Sequence, residues 1–272
     1  MPMAYKVRTN TLPLLPMGSA DIRILHFSDL HLTPTRKWLI RDIKSWIDLE
    51  PDLVISTGDL IAHKDSIEPL INSLGKLLKI PGFFVFGSND YFAPKFRNPI
   101  TYVIPSKAER KFGDKLDWQL LAQKLSTNGW INLIHKKEIV KINGVSIEAR
   151  GTDDAHLKLD NYPLVAGAVS KHANISLGVT HAPYERVLAA MSQDKLDLIF
   201  AGHTHGGQIR LPWPGGGKAL TTNCDLDKWR ASGLTKVNEE PWLNVSAGMG
   251  YNPYAPIRFA CPPEVSLITL TA

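Results

Sequence analysis

A layered α/β domain is what this sequence predicts, on two observations. Five short apolar, β-branched runs each stop abruptly at polar residues able to bind metal. Between several of them lie segments whose apolar residues recur at helical spacing. The resulting order is β-α-β-α-β, a long insertion, then further strands and helix, as layered folds require.

Each element follows from its residues. The opening stretch, "MPMAYKVRTNTLPLLPMGSAD", carries prolines that interrupt any signal-like apolar segment, and residues 1–20 read as a loose arm. The first run, "IRILHFS" (22–28), stops at Asp29, Leu30 and His31. Residues 36–49, "RKWLIRDIKSWIDL", place Leu39, Ile43, Trp46 and Ile47 on one helical face, and Pro51 ends that helix. The second run, "DLVIST" (52–57), stops at Gly58 and Asp59, and "SIEPLINSLGKLL" (66–78) is the second helix. The third run, "GFFVF" (82–86), stops at Gly87, Ser88, Asn89 and Asp90. A long segment, 92–118, reads as a lid insertion; Phe96, Tyr102 and Val103 within it, with Phe92 and the preceding Tyr91, either cover a nucleobase or acyl chain or pack beneath the lid.

Residues 117–130 form a third helix, and 138–151 alternate around Asn143-Gly144, a strong hairpin signal. "NISLGVT" (174–180) stops at His181, "YERVLAAMSQ" (184–193) is helical, and "LDLIFAG" (196–202) stops at His203, Thr204 and His205. The last run, "EVSLITLTA", is a closing strand. No internal repeat or linker divides the chain, so residues 21–272 read as one domain.

Composition narrows the function classes. With 44% hydrophobic and 21% charged residues the chain has the balance of a globular domain, and no apolar run approaches the ~20 residues of a membrane-spanning helix. Two separated cysteines, Cys224 and Cys261, give no disulfide framework and fit a reducing, cytoplasmic setting. The net charge of +5 favours an anionic partner, whether phosphates, nucleic acid or a membrane surface. Much of the local excess lies in "KAERKFGDK" (107–115), which as a bare charge run is a solvated loop.

The polar strand ends carry the chemistry. Asp29-x-His31, Gly58-Asp59, Asn89-Asp90, His181 and His203-x-His205 all follow apolar runs, and open α/β sheets gather ligands at that edge. In D-x-H and H-x-H, period two puts both ligands on one side of an extended segment. Imidazoles mixed with carboxylates suit Mn, Fe or Zn. At least six good ligands are too many for one closed zinc site, whereas two divalent ions sharing a carboxylate, with Mn favoured, use them all. Such a pair clamps a phosphoryl group and ionises a bridging water for in-line attack.

Taken together, "FSDLHL", "STGDL", "FGSND", "GVTHAP" and "AGHTHGGQIRLP" resemble the five-block signature of the calcineurin-like metallophosphoesterases. With "GTDDAH" (151–156) and the tail from Val245, the chain is similar to a bacterial branch containing cell-wall-associated phosphoesterases and UDP-2,3-diacylglucosamine hydrolases. The resemblance implies a four-layer αββα sandwich of two packed mixed sheets. It implies that Asp29, His31 and His205 hold one metal, that His181 and His203 hold the other, and that Asp59 bridges them. The two histidines of "HTH" would then face different ions.

The third block departs from the family's Gly-Asn-His-Asp/Glu pattern, in which Asn ligates the second metal and His faces the substrate. Here Ser88 falls in the Asn column and Asn89 in the His column. Either the loop shifts so that the Asn89 carbonyl ligates the metal, the reading favoured by ligand chemistry, or Ser88 or water fills that place while Asn89 faces the substrate. His63 and His156 are the candidate replacements for the missing acid, whose kind contributes ~10²–10⁴-fold to such reactions. His26 reads as core or supporting, while His135 and His172 lack context.

Arg36 and Arg210 are candidates for phosphate oxygens, and Lys37 lies beside the first. The expected reaction is phosphodiester or pyrophosphate hydrolysis on a phosphorylated small molecule or lipid-linked nucleotide. One rival is a nuclease, though no Lys/Arg stripe with interleaved aromatics supports it. The other is a metal- and phosphate-binding protein with little turnover. Peripheral membrane contact would fall to Trp38, Leu39 and Ile40.

Overall fold

The computed structural model describes residues 5–95, 112–211, 217–237, 239–254 and 256–272. All five runs become buried strands. β2 (Ile22–Phe27), β3 (Leu53–Ser56), β4 (Gly82–Phe84) and β5 (Trp130–Asn132) lie parallel in the first sheet, whose order is β1-β14-β2-β3-β4-β5. β14 (Glu264–Thr271) is antiparallel to β2 and parallel to β1 (Lys6–Pro13). The second six-stranded sheet has the order β12-β13-β9-β8-β7-β6. In it β7 (Val145–Gly151), β8 (Ile175–Val179), β9 (Leu198–Ala201) and β13 (Trp242–Val245) are parallel. β6 (Lys136–Ile142) and β12 (Gly233–Lys236) close its edges antiparallel. A small ribbon, β10 (Arg210–Leu211) with β11 (Lys218–Ala219), stands apart.

Three apolar clusters define four layers. In β2, Ile22 and Ile24 face the second sheet, where Ile147, Leu177, Leu198 and Phe200 meet them. Leu25 and Phe27, one residue out of phase, face the opposite way. They pack on α1 (Lys37–Ser45), α2 (Ile67–Leu74) and α4 (Trp118–Thr127) through Leu39, Ile43, Leu70, Leu74, Leu121 and Leu125. Beyond the second sheet, α5 (Glu185–Gln193) lays Val187, Leu188 and Met191 on Ile199, Leu243 and Val245. The αββα sandwich implied by the resemblance is the fold.

Local chemistry explains the boundaries. The side chain of Asp117 accepts from the Leu120 N–H and starts α4. The β6–β7 turn has Asn143 at φ 49° and Gly144 at φ 87°, the two left-handed positions of a tight hairpin.

Two expectations are corrected. Residues 6–13 are not a loose arm but a full edge strand, β1, paired along its whole length with β14. Its outward Lys6, Arg8 and Thr11 hid the strand pattern, because an edge strand keeps much of its surface polar. Trp38, Leu39 and Ile40 are not a membrane-facing patch: Leu39 is fully buried in the outer core and the other two pack against it. Most of the lid segment, residues 96–111 with Phe96, Tyr102 and Val103, lies outside the described residues, as does most of 107–115. Its two ends are joined, Ala93 N–H donating to the Asp114 carbonyl at 2.8 Å and Leu116 N–H to the Tyr91 carbonyl at 2.9 Å.

Candidate metal centre

The candidate ligands gather at the carboxyl ends of β2, β3, β8 and β9, and five of the six do not lie on extended backbone. Asp29, His31, Asp59, His203 and His205 all have positive φ, between 42° and 69°. Left-handed backbone costs a non-glycine residue about 1–3 kcal/mol, and five such residues around one cavity mark a site held open by its surroundings. The D-x-H and H-x-H pairs therefore converge through left-handed turns rather than through strand alternation. Asp29 N–H donates to the Gly58 carbonyl and His31 N–H to the Asp59 carbonyl, both at 2.9 Å, so the two turns lock together.

One donor from each of Asp29, His31, Asp59 and His205 lies within 4.8 Å of all the others. The His31 and His205 Nε2 atoms are 3.1 Å apart, with their rings stacked at 4.9 Å. Asp59 Oδ2 is 3.5 Å from His31 Nε2, and Asp29 Oδ1 is 3.5 Å from His205 Nε2. Donors about 2.1 Å from a tetrahedral ion stand about 3.4 Å apart, so the separations of 3.1–3.5 Å are those of donors able to share one ion.

The other oxygen of Asp59, Oδ1, faces His181 Nε2 at 3.7 Å, on the far side of the carboxylate. His181 Nδ1–H donates to the Thr57 carbonyl at 2.7 Å, which fixes the ring and turns Nε2 toward Asp59. The His203 ring lies edge-on to it at 5.2 Å. His203 Nε2–H donates to the Asn223 carbonyl at 3.2 Å, leaving Nδ1 as the acceptor nitrogen. Asp59 thus stands between two donor groups.

Two observations favour cations here. Asp29 Oδ1 and His181 Nε2 are buried without a hydrogen-bond partner, an arrangement a bound ion satisfies. A Cβ at Gly87 would stand 2.5 Å from His181 Cε1 and press on Asp59 Oδ1, so only glycine lets the loop close over both ligands.

The electrostatics agree. Burial pushes the Asp29 carboxyl up to about 6 and the His31 imidazole down to about 4. Burial, with His31 beside it, also lowers His205 well below the ordinary range. Burial alone would lower His181, but Asp59, Asp154 and Asp29 hold it at about 9. Protons and metal ions compete for these atoms.

Asp90 is not placed as a ligand. Its carboxylate accepts from the N–H groups of Gly87, Asp59, Leu60 and Ile61 at 2.7–3.3 Å and ties the loop after β4 to the loop after β3. Asn89, on the short helix α3 (Ser88–Tyr91), is engaged with Asp59: its backbone N–H meets Oδ1 at 2.7 Å and its side-chain Nδ2 meets Oδ2 at 2.6 Å. Ser88 instead turns its hydroxyl to Asp154 at 2.6 Å.

Other expected residues fall elsewhere. His156 comes to the site: its ring is 4.4 Å from that of His203, and its Nδ1 is 2.9 Å from the Tyr184 hydroxyl. His63 does not, being a half-exposed helix cap that accepts from the Asp65 N–H at 3.2 Å and lines a separate groove. Arg36 is corrected from phosphate ligand to scaffold, since its guanidinium is buried on the carbonyls of His31 (2.8 Å) and Tyr251 (2.9 Å). Arg210 is corrected likewise, donating to the Gly217 carbonyl at 2.8 Å and to Ser232 Oγ at 2.5 Å. His26 is core: Asn244 Nδ2–H donates to its Nδ1 at 2.7 Å, its Nε2–H donates to Thr57 Oγ1 at 2.9 Å, and burial lowers it to about 3.

Sequence reasoning missed Arg258. Its guanidinium, buried beneath Asp29, donates to the carbonyls of Ala247, Gly248 and Gly250 at 2.6–3.1 Å. That loop in turn sends the Gly250 N–H to the Asp29 carbonyl at 2.7 Å. No spacing signals an arginine far along the chain from the turn it supports.

The donors open into a cavity of about 220 Å³. His31, Asp59, Asn89 and His203 line its floor, and Phe92, Phe112, Ile209, Leu220 and Ile257 contribute to its walls. Phe92 and Phe112, near the two ends of the 92–118 segment, pack with ring centroids 4.7 Å apart.

Comparison with known proteins agrees with this geometry. The chain is 26% identical over 273 residues to the uncharacterised protein YpbG of Bacillus subtilis, covering 97% of this chain and 87% of that one. It is 27% identical over 288 residues to the UDP-2,3-diacylglucosamine pyrophosphatase LpxG of Chlamydia trachomatis, covering 91% and 83%. A transmembrane protein with metallophosphoesterase domain from Danio rerio is 25% identical over 279 residues, covering 94% of this chain, which spans about half (54%) of that protein's length. The model of the calcineurin-like phosphoesterase family matches residues 22–207, a span that runs from β2 through the H-x-H turn and encloses all six candidate ligands. The chain belongs to that family.

Proposed function

We propose that the protein is a dinuclear-metal phosphodiesterase or pyrophosphohydrolase whose substrate carries an apolar portion. The observation that supports this best is the clustering of Asp29, His31, Asp59 and His205, three of which (His31, Asp59 and His205) line a cavity with largely apolar walls. One metal position would be held by Asp29, His31, His205 and Asp59, and the other by Asp59, His181 and His203. Two divalent ions, Mn favoured, would supply Lewis acidity to a phosphoryl group and an activated water for in-line attack.

The chain supplies the rest. Asn89, hydrogen-bonded to both oxygens of Asp59, keeps that carboxylate oriented and presents the remainder of its amide to the cavity. His156, whose Nδ1 meets the Tyr184 hydroxyl and whose ring lies 4.4 Å from that of His203, would hand a proton to the departing oxygen. Phe92 and Phe112 would receive an acyl chain or base, one of the two roles weighed above for the aromatic residues of the insertion. The name of the LpxG relative supports a lipid-linked nucleotide as the first substrate to try. The nuclease reading rested on basic charge, and Arg36 and Arg210 are buried on backbone carbonyls rather than facing the cavity.

Hydrolysis of bis(p-nitrophenyl) phosphate by purified protein with added Mn²⁺ tests the reaction class. UDP-2,3-diacylglucosamine set against a polynucleotide then tests the substrate. Turnover of the lipid nucleotide is expected. No turnover with both metals bound would defeat the reading, and preference for polynucleotide would promote the nuclease.

A further inference from the structure

The second metal position, as assembled above, has two imidazoles and half of Asp59, one donor fewer than the first. The loop after β4 does not complete it: Ser88 has only a neutral hydroxyl, and Asn89 is turned onto Asp59. Ser88 nevertheless lines the cavity beside Asp59 and His203, and its hydroxyl donates to Asp154 Oδ2 at 2.6 Å.

Asp154 is an unusual carboxylate. It is fully buried, yet among the described residues no lysine or arginine pairs with it. Its partners are Ser88 and the His156 N–H, which donates to Oδ1 at 2.8 Å. Buried charges are paired or bind metal, because an isolated carboxylate in a low-dielectric interior is strongly disfavoured. The adjacent loop is held as firmly, with Tyr91 OH donating to Asp153 Oδ1 at 2.6 Å and the Asp154 N–H donating to the same oxygen at 2.7 Å. These contacts join α3 to the loop after β7. In the second metal position itself, the buried Nε2 of His181 lacks any hydrogen-bond partner.

We propose that Asp154 is the missing ligand of the second metal, an anionic donor latched by Ser88 in the place where the loop after β4 no longer offers an amide. This rests on the dinuclear reading given above. Each ion would then have one carboxylate of its own, two imidazoles and a share of Asp59. Asp29, His31 and His205 serve the first ion; Asp154, His181 and His203 serve the second. The additional negative charge suits a hard ion such as Mn²⁺ better than a neutral amide would.

Metal content after desalting, with calorimetric titration of Mn²⁺ into metal-free protein, tests this without reference to activity. Wild type should bind two ions. Asp154→Asn, which preserves the hydrogen-bonding shape and removes the charge, should keep the first ion and bind the second at least tenfold more weakly. Asp153→Asn, which removes a neighbouring charge, should bind both as wild type does. Ser88→Ala, which unlatches the carboxylate but leaves it in place, should weaken only the second ion and gives a reading even if Asp154→Asn fails to fold. Unchanged second-site affinity in Asp154→Asn or in Ser88→Ala overturns the assignment, as does equal weakening in Asp153→Asn. A wild-type protein that binds a single ion overturns the dinuclear reading itself, and is recognised before any variant is compared.

Discussion

Gly87 shows how tightly single residues set this site, since a methyl group there would meet the His181 ring and the Asp59 carboxylate at once. Gly87→Ala should cost about 1–3 kcal/mol by overpacking and lower kcat on bis(p-nitrophenyl) phosphate about 10²-fold, because displaced ligands misplace the reacting groups. Near-wild-type kcat would show that the loop yields. His26 gives a pH prediction. Its folded pKa, about 3, lies below the unfolded value near 6.5, so its stability contribution is present above pH 6.5 and is lost as pH falls toward 3. Between pH 7 and 5 this term amounts to about 2 kcal/mol. Urea melts of wild type and His26→Gln at both pH values measure it, and equal pH dependence in the two would refute it. At this scale the sequence announced the ligand types, since acids and histidines after apolar strands have few other uses. It could not announce direction. Arg36 and Arg210 sit where phosphate ligands were expected, but burial turned their guanidinium groups onto carbonyl oxygens.

Among the elements, β2, β3, β4, β8 and β9 were legible because burial on both faces makes each a continuous apolar run. β1 was not, because an edge strand with one partner needs few apolar residues. Its anchor is chemical instead: Arg8 makes a two-pronged ion pair with Glu264 on β14, at 2.8 and 2.6 Å. Arg8→Ala should destabilise the fold by about 1–2 kcal/mol, because it leaves the buried Glu264 carboxylate unpaired. Arg8→Ala/Glu264→Gln should recover part of that loss in denaturant titrations; no recovery would place the effect in packing rather than in charge. The turns after the strands were also hidden, since five left-handed acids and histidines carry no spacing rule that distinguishes them from extended ones. The strain becomes visible only when both turns are seen locked by backbone hydrogen bonds.

For the molecule as a whole, the dinuclear reading makes ion binding and folding one equilibrium. Each ion should raise stability by about 2.7 kcal/mol at a concentration one hundred times its Kd, so a chelator should lower Tm and Mn²⁺ restore it. Asp59, Asp154 and Asp29 raise the His181 imidazole to about 9, so on the dinuclear reading a second ion would displace its proton. Its apparent affinity should therefore rise about tenfold per pH unit from 7 to 8 and level off above 9; a flat profile would show that no proton is displaced. The sequence order implied this architecture, but not how the chain's two ends share it. β14 lies between β1 and β2, so the first sheet is completed by residues 264–271 although its other strands all lie within 6–132. The first sheet can be completed only once residues 264–271 are available, whereas every strand of the second sheet lies within residues 136–245. Asp29 and His31 thus emerge among the earliest of the ligands, and the strand that carries them is among the last to be enclosed.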